Sequence, residues 1–140
     1  MKKIFLIIVF LFLIVGCNSK EVDGRMTISL IENPTTGYEW SCEISDFSVL
    51  ALENNNYVAN SNEEDLVGAP GVHEFIFKSL KEGKTDIVCS YERNWEDEEP
   101  LYQLTYKVKV DSDLNITFES VDGTYSEKEL PKPVISSIKK

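Results

Sequence analysis

Leu101-Tyr-Gln-Leu-Thr-Tyr-Lys-Val-Lys-Val110 decides the fold. Tyr102, Leu104, Tyr106, Val108 and Val110 fall on one side of the alternation, and Gln103, Thr105, Lys107 and Lys109 on the other. A period of two is that of a β-strand, whose successive side chains point to opposite faces. One apolar and one polar face make this strand half buried, as in an antiparallel sheet with a single wet side.

Working outward, the same rhythm recurs. Met26, Ile28 and Leu30 alternate with Thr27, Ser29 and Ile31; Tyr38, Trp40, Cys42 and Ile44 alternate with Glu39, Ser41 and Glu43. Residues 47–58 form a less regular run, and His73 to Lys78 follows the turn at Gly68–Gly71. Ile87, Cys89 and Tyr91 share one face after the turn Glu82-Gly83-Lys84. No stretch beyond residue 24 sustains a helical period. Strands are thus expected at 25–32, 38–45, 47–58, 73–80, 85–93 and 101–110, an all-β sandwich.

The chain has 140 residues, the length of one domain. Its formal charge is −10, and more acidic still without Lys2 and Lys3. Such a surface repels phosphate backbones, so no nucleic-acid partner is expected. One histidine and three cysteines leave little for a metal cluster or His-dependent catalysis. Asp111-x-Asp113-x-Asn115 opens like a calcium loop, but Ile116 stands where the sixth-position glycine is required. No metal or cofactor is expected.

Met1-Lys-Lys3, an apolar run from Ile4 to Val15 and Gly16-Cys17 have the pattern of an export signal. Twelve apolar residues span roughly 18 Å, short of the ~30 Å hydrocarbon core. Leu13-Ile-Val-Gly-Cys17 resembles a bacterial lipobox. That resemblance implies a signal peptide at 1–16, lipidation of Cys17, a tether at 17–24 and a domain held at the membrane surface of the cell envelope. Cys42 and Cys89 then remain, both on apolar strand phases: a disulfide or two buried thiols.

Successive connections of a sandwich alternate between its ends. The loops Asn33–Gly37, Asn60–Gly71 and Asn94–Pro100 therefore gather at one end, where binding loops commonly cluster. Their residues carry a resemblance. Asn33-Pro34-Thr35-Thr36-Gly37-Tyr38-Glu39-Trp40 resembles the hallmark motif of the chagasin-like inhibitors of cysteine peptidases. Gly68-Ala69-Pro70-Gly71 is similar to that family's glycine-rich second loop, and Tyr91-Glu92-Arg93-Asn94-Trp95 to its third, with Pro70 replacing a glycine and Asn94 a proline. The resemblance covers about Met26 to Val110. It implies an immunoglobulin-like Greek-key sandwich of about seven strands, with the inhibitory domain at 25–110. The implied partner is a papain-like cysteine peptidase, met by a monomeric inhibitor.

The residues themselves suit that role. Pro34 fixes φ and restricts Asn33, and Thr35 and Thr36 are stiff at χ1, so a loop already in its bound shape loses little entropy on docking. The resemblance implies that Thr35-Thr36 enter the enzyme's cleft. Trp95 and Arg93 are hot-spot residue types, and the resemblance implies that Trp95 packs on an aromatic rim of the enzyme while Arg93 orients it or binds a carbonyl. Trp40, on the core phase, is expected to pack. An enzyme would need Cys42 or Cys89 as nucleophile and His73 as base, and mid-strand thiols are usually inert. The competing reading is a surface-anchored module for a different protein ligand.

Residues 111–140 lie outside the resemblance. Leu114 to Val121 alternates as an extra strand, expected either on the edge beside 25–32 or in a separate hairpin, and 126–140 reads as a loosely ordered tail.

Overall fold

The computed structural model describes residues 22–60 and 68–139. The signal-like segment and Cys17 lie outside the described residues. Eight strands follow in chain order: β1 (Val22–Glu32), β2 (Glu39–Ile44), β3 (Leu50–Val58), β4 (Gly71–Ser79), β5 (Gly83–Glu92), β6 (Tyr102–Val110), β7 (Ile116–Gly123) and β8 (Val134–Lys139), with a 3-10 turn at Pro34–Thr36. They form two four-stranded sheets, β3-β4-β1-β8 and β2-β5-β6-β7, antiparallel throughout. The architecture is an immunoglobulin-like β-sandwich.

Alternation builds the core. Met26, Ile28 and Leu30 of β1 and Phe75 and Phe77 of β4 meet Ile87 and Cys89 of β5 and Leu104, Tyr106, Val108 and Val110 of β6, all buried. Each such side chain contributes roughly 1.5–3 kcal/mol relative to exposure. The edge strand β2 is stapled to β5 by a disulfide between Cys42 and Cys89, which are direct partners in the register.

The C-terminal segment departs from expectation. Residues 116–123 form β7 and pair with β6, Ile116 opposite Val110, rather than with β1. The connection explains this. The Asp111 carboxylate accepts from the backbone N–H groups of Asp113 and Asn115, both at 2.9 Å. Asp111 N–H in turn donates to Asn115 O at 3.0 Å. A turn closed that tightly returns the chain beside the strand it has just left. The edge beside β1 is filled instead by β8, from the stretch read as a tail, with Val134 opposite Thr27. β8 interrupts its apolar residues with Ser136-Ser137 and follows Pro131 and Pro133, which hid its strand character. The tether reading of 17–24 is also shortened, since Val22-Asp23-Gly24 already belong to β1. A Cβ on Gly24 would lie 2.3 Å from Leu114 O, so the chain passes there only as glycine.

Candidate functional site

The first loop is built around Asn33. As N-cap of the 3-10 turn, its Oδ1 accepts from Thr35 N at 3.2 Å and Thr35 Oγ1 at 2.7 Å. Its backbone carbonyl accepts from Thr36 N at 3.1 Å and Thr36 Oγ1 at 2.7 Å. Gly37 then closes the turn, donating to Pro34 O at 3.1 Å with φ of 79°, a left-handed angle that suits glycine. Both threonine hydroxyls are thus engaged by the loop itself, while Pro34, Thr35 and Thr36 stand exposed at its apex.

The loops are bonded to one another. Asn33 Nδ2 donates to Gly68 O at 2.8 Å, joining the first loop to the second. Arg93 joins it to the third: Nε and Nη2 donate to Thr36 O at 3.2 and 3.1 Å, and Nη1 pairs with Glu96 at 3.0 Å. The guanidinium carbon lies 4.4 Å from the Tyr38 ring centroid, a cation–π contact. Trp95 is 70% exposed. Its ring edge overlies Gly37, where a Cβ would come within 2.6 Å of Cη2. An indole so exposed, yet rested on the first loop, presents a flat apolar face beside Thr35-Thr36. Asn94 is exposed at the same tip.

Several residues read from the sequence make specific contacts within the protein itself. Arg93 holds the carbonyl of Thr36 and pairs with Glu96. Tyr38 is half buried beneath Arg93, its ring 5.3 Å from Tyr91. Gly71 is buried at the start of β4, where a Cβ would meet the Tyr57 hydroxyl at 2.3 Å. Gly68, Ala69 and Pro70 are more open.

Beneath the cluster lies a group the sequence reading missed. Glu32 is buried at the end of β1, and its Oε2 accepts from Trp40 N–H and from His73 Nδ1, each at 2.8 Å. A carboxylate only accepts, so Nδ1 carries the hydrogen. The other ring nitrogen of His73 meets Asn55 Oδ1. One side chain thereby ties β1, β2 and β4 together one residue before Asn33. Glu32 stands on the phase of Met26, Ile28 and Leu30, and a carboxylate on a core phase was the available signal. Trp40 packs in the core, its Nε1 donating to Ile31 O at 2.9 Å. The Tyr91 hydroxyl accepts from Asn33 N at 3.3 Å.

Among the described residues the two cysteines, Cys42 and Cys89, are bonded to each other, so neither offers a free thiol. Fold and site together define a β-sandwich whose projecting first loop is braced by Gly68 of the second loop and by Arg93 of the third, residues 61–67 lying outside the described residues. Comparison with known proteins agrees with that class. The profile of the chagasin family peptidase inhibitor I42 matches residues 20–110. Amoebiasin-2 of Entamoeba histolytica is 38% identical over 84 residues, 59% of this chain and 68% of that protein. The crystal structure of the cysteine protease inhibitor EhICP2, also from Entamoeba histolytica, superposes with a TM-score of 0.56 at 36% identity, covering 61% of this chain and 78% of that one. The chain belongs to the chagasin family of peptidase inhibitors, and it is not an enzyme.

Proposed function

We propose that this protein is a reversible inhibitor of papain-like cysteine peptidases, blocking the catalytic cleft with its three loops. The carrying observation is the bonding of the first loop to Gly68 of the second and Arg93 of the third, around an exposed Thr35-Thr36 apex. Each hydrogen bond within the cluster, from Asn33, Thr36 and Arg93, fixes a conformation that a free loop would lose entropy to adopt on binding. The apex enters the cleft, Trp95 lies on an apolar rim, and the segment at Gly68–Pro70 brings backbone close to the enzyme. Inhibition is steric: the loop offers its own backbone without a cleavable alignment, and no cofactor takes part. The chain's similarity to a solved cysteine protease inhibitor supports this partner class. The acidic run Asp97-Glu98-Glu99 favours a peptidase with a basic cleft margin.

The lipobox-like sequence places the inhibitor, in this reading, on the outer face of a membrane through acyl chains on Cys17. β1 enters the sandwich at the end opposite the loops, so the inhibitory surface would face away from such an anchor.

Titration of papain with the domain 18–140, using a small peptide substrate, tests the proposal. It expects competitive, reversible inhibition with the inhibitor recovered uncleaved. Inhibition that substrate cannot compete away, or a folded sample that leaves papain and a panel of related peptidases fully active, would refute it.

A further inference from the structure

The family profile ends at residue 110, yet the base of the first loop is held by a residue beyond it. β1 pairs with β8 only as far as Thr27, opposite Val134. Past that point the edge of β1 runs towards the loops without a neighbouring strand. Ile31 N–H instead donates to the Tyr125 hydroxyl at 3.0 Å, while Ile31 O accepts from Trp40 Nε1. The Tyr125 ring sits 6.0 Å from Trp40 and 6.4 Å from Tyr102. Trp40 in turn stacks at 4.9 Å on Tyr91, whose hydroxyl accepts from Asn33 N. Two routes thus join Tyr125 to Asn33, one along the backbone through Glu32 and one through packed rings.

The connection carrying Tyr125 is itself fixed. Thr124 and Gln103 exchange hydrogen bonds, Thr124 N to Gln103 O at 2.9 Å and Gln103 N to Thr124 Oγ1 at 3.2 Å. Further on, the buried Tyr106 hydroxyl donates to Pro131 O at 3.0 Å, and Leu130 packs against the core. Residues 124–133 therefore cross from one sheet to the other as a strap anchored at both ends.

We propose that Tyr125 is a positioning residue for the first loop: its hydroxyl stands in for a neighbouring strand at the end of β1 and fixes the angle at which the backbone enters Asn33-Pro-Thr-Thr-Gly37. A segment outside the shared family region thereby tunes the inhibitory surface without touching the peptidase. The functional half of this inference rests on the inhibitor reading; the structural half does not.

Tyr125→Phe removes the hydroxyl and keeps the ring, and Tyr106→Phe, which frees Pro131 instead, serves as the comparison. Amide hydrogen exchange on the domain 18–140 should quicken about five- to tenfold at Ile31 and the loop amides of Tyr125→Phe, with β6 unchanged. Dissociation from papain should accelerate by a similar factor while the association rate holds. Unchanged exchange at Ile31 and the loop would overturn the proposal. So would a uniform rise across the domain matching that of Tyr106→Phe, which would mark a purely structural role. If the wild-type domain fails to inhibit papain, the inhibitor reading falls and the exchange data still decide the support.

Discussion

Arg93 directs two of its donors onto the carbonyl oxygen of Thr36, a residue of its own chain, at 3.1 and 3.2 Å. The third loop thus braces the first before any partner arrives. The planar fork makes this geometry, and a lysine ammonium cannot reproduce it. Arg93→Lys should weaken inhibition about tenfold, from loss of roughly 1–2 kcal/mol of loop organisation. The melting temperature should move little, because the brace lies at the surface. Inhibition constants and thermal melts measured together separate the two effects.

Asn33 uses an amide donor and an amide acceptor on different partners, Gly68 O and Thr35. Asn33→Asp keeps the acceptor, removes the donor and sets a negative charge against the Gly68 carbonyl. The first and second loops should then part. We expect a loss of about 1–3 kcal/mol in binding, roughly 5- to 150-fold, and faster proteolysis between Asn60 and Gly71. Inhibition assays and limited digestion check both.

The Cys42–Cys89 bridge closes a loop spanning 47 residues of sequence separation. Chain entropy assigns such a cross-link about 4 kcal/mol, and removal of native bridges typically costs 2–5 kcal/mol. Cys42→Ser/Cys89→Ser should lower the urea midpoint by a corresponding amount. Reductant should act on the wild type and leave the variant unmoved.

Stability should fall in acid. The backbone N–H of Asn115, with its side chain and Asp113 N–H, holds Asp111 below the usual carboxylate range. The Ser48 hydroxyl and N–H do the same for Asp46, and the Arg25 guanidinium for Glu53. A carboxyl depressed in the folded state binds its proton more readily when unfolded, so its contribution is complete above the ordinary carboxylate value of about 4 and is lost as pH falls through the lowered one. Thermal melts between pH 7 and pH 2 should show this decline, and Asp111→Asn should flatten part of it.

The alternation of β1, β2, β5 and β6 was legible because one face of each strand is buried and the other wet, which writes the fold into every second residue. The three loops were legible by composition, since proline, glycine, arginine and tryptophan stand out among strand residues. What each loop residue does was not. The sequence does not show that Arg93 bonds to the Thr36 carbonyl, and Gly71 reads as a loop glycine until Tyr57 is seen lying against it. Glu32 could have been found, a charge on the phase of Leu30. β8 and Tyr125 carry no such mark: the strand is short and partly polar, and the tyrosine lies on an aperiodic strap whose contacts are all distant in sequence.

The central claim is that inhibition resides in the loop cluster, and a paired comparison of inhibition constants against papain tests it most directly. Thr35→Ala/Thr36→Ala and Trp95→Ala alter the surface; Phe47→Ala alters an equally exposed aromatic, 70% accessible, in the β2–β3 turn at the opposite end. The account predicts about 30-fold or greater weakening for Trp95→Ala, at the 2 kcal/mol of a hot spot, a clear loss for the threonine pair, and no change for Phe47→Ala. Equal potency of all variants, or a loss confined to Phe47→Ala, would contradict it.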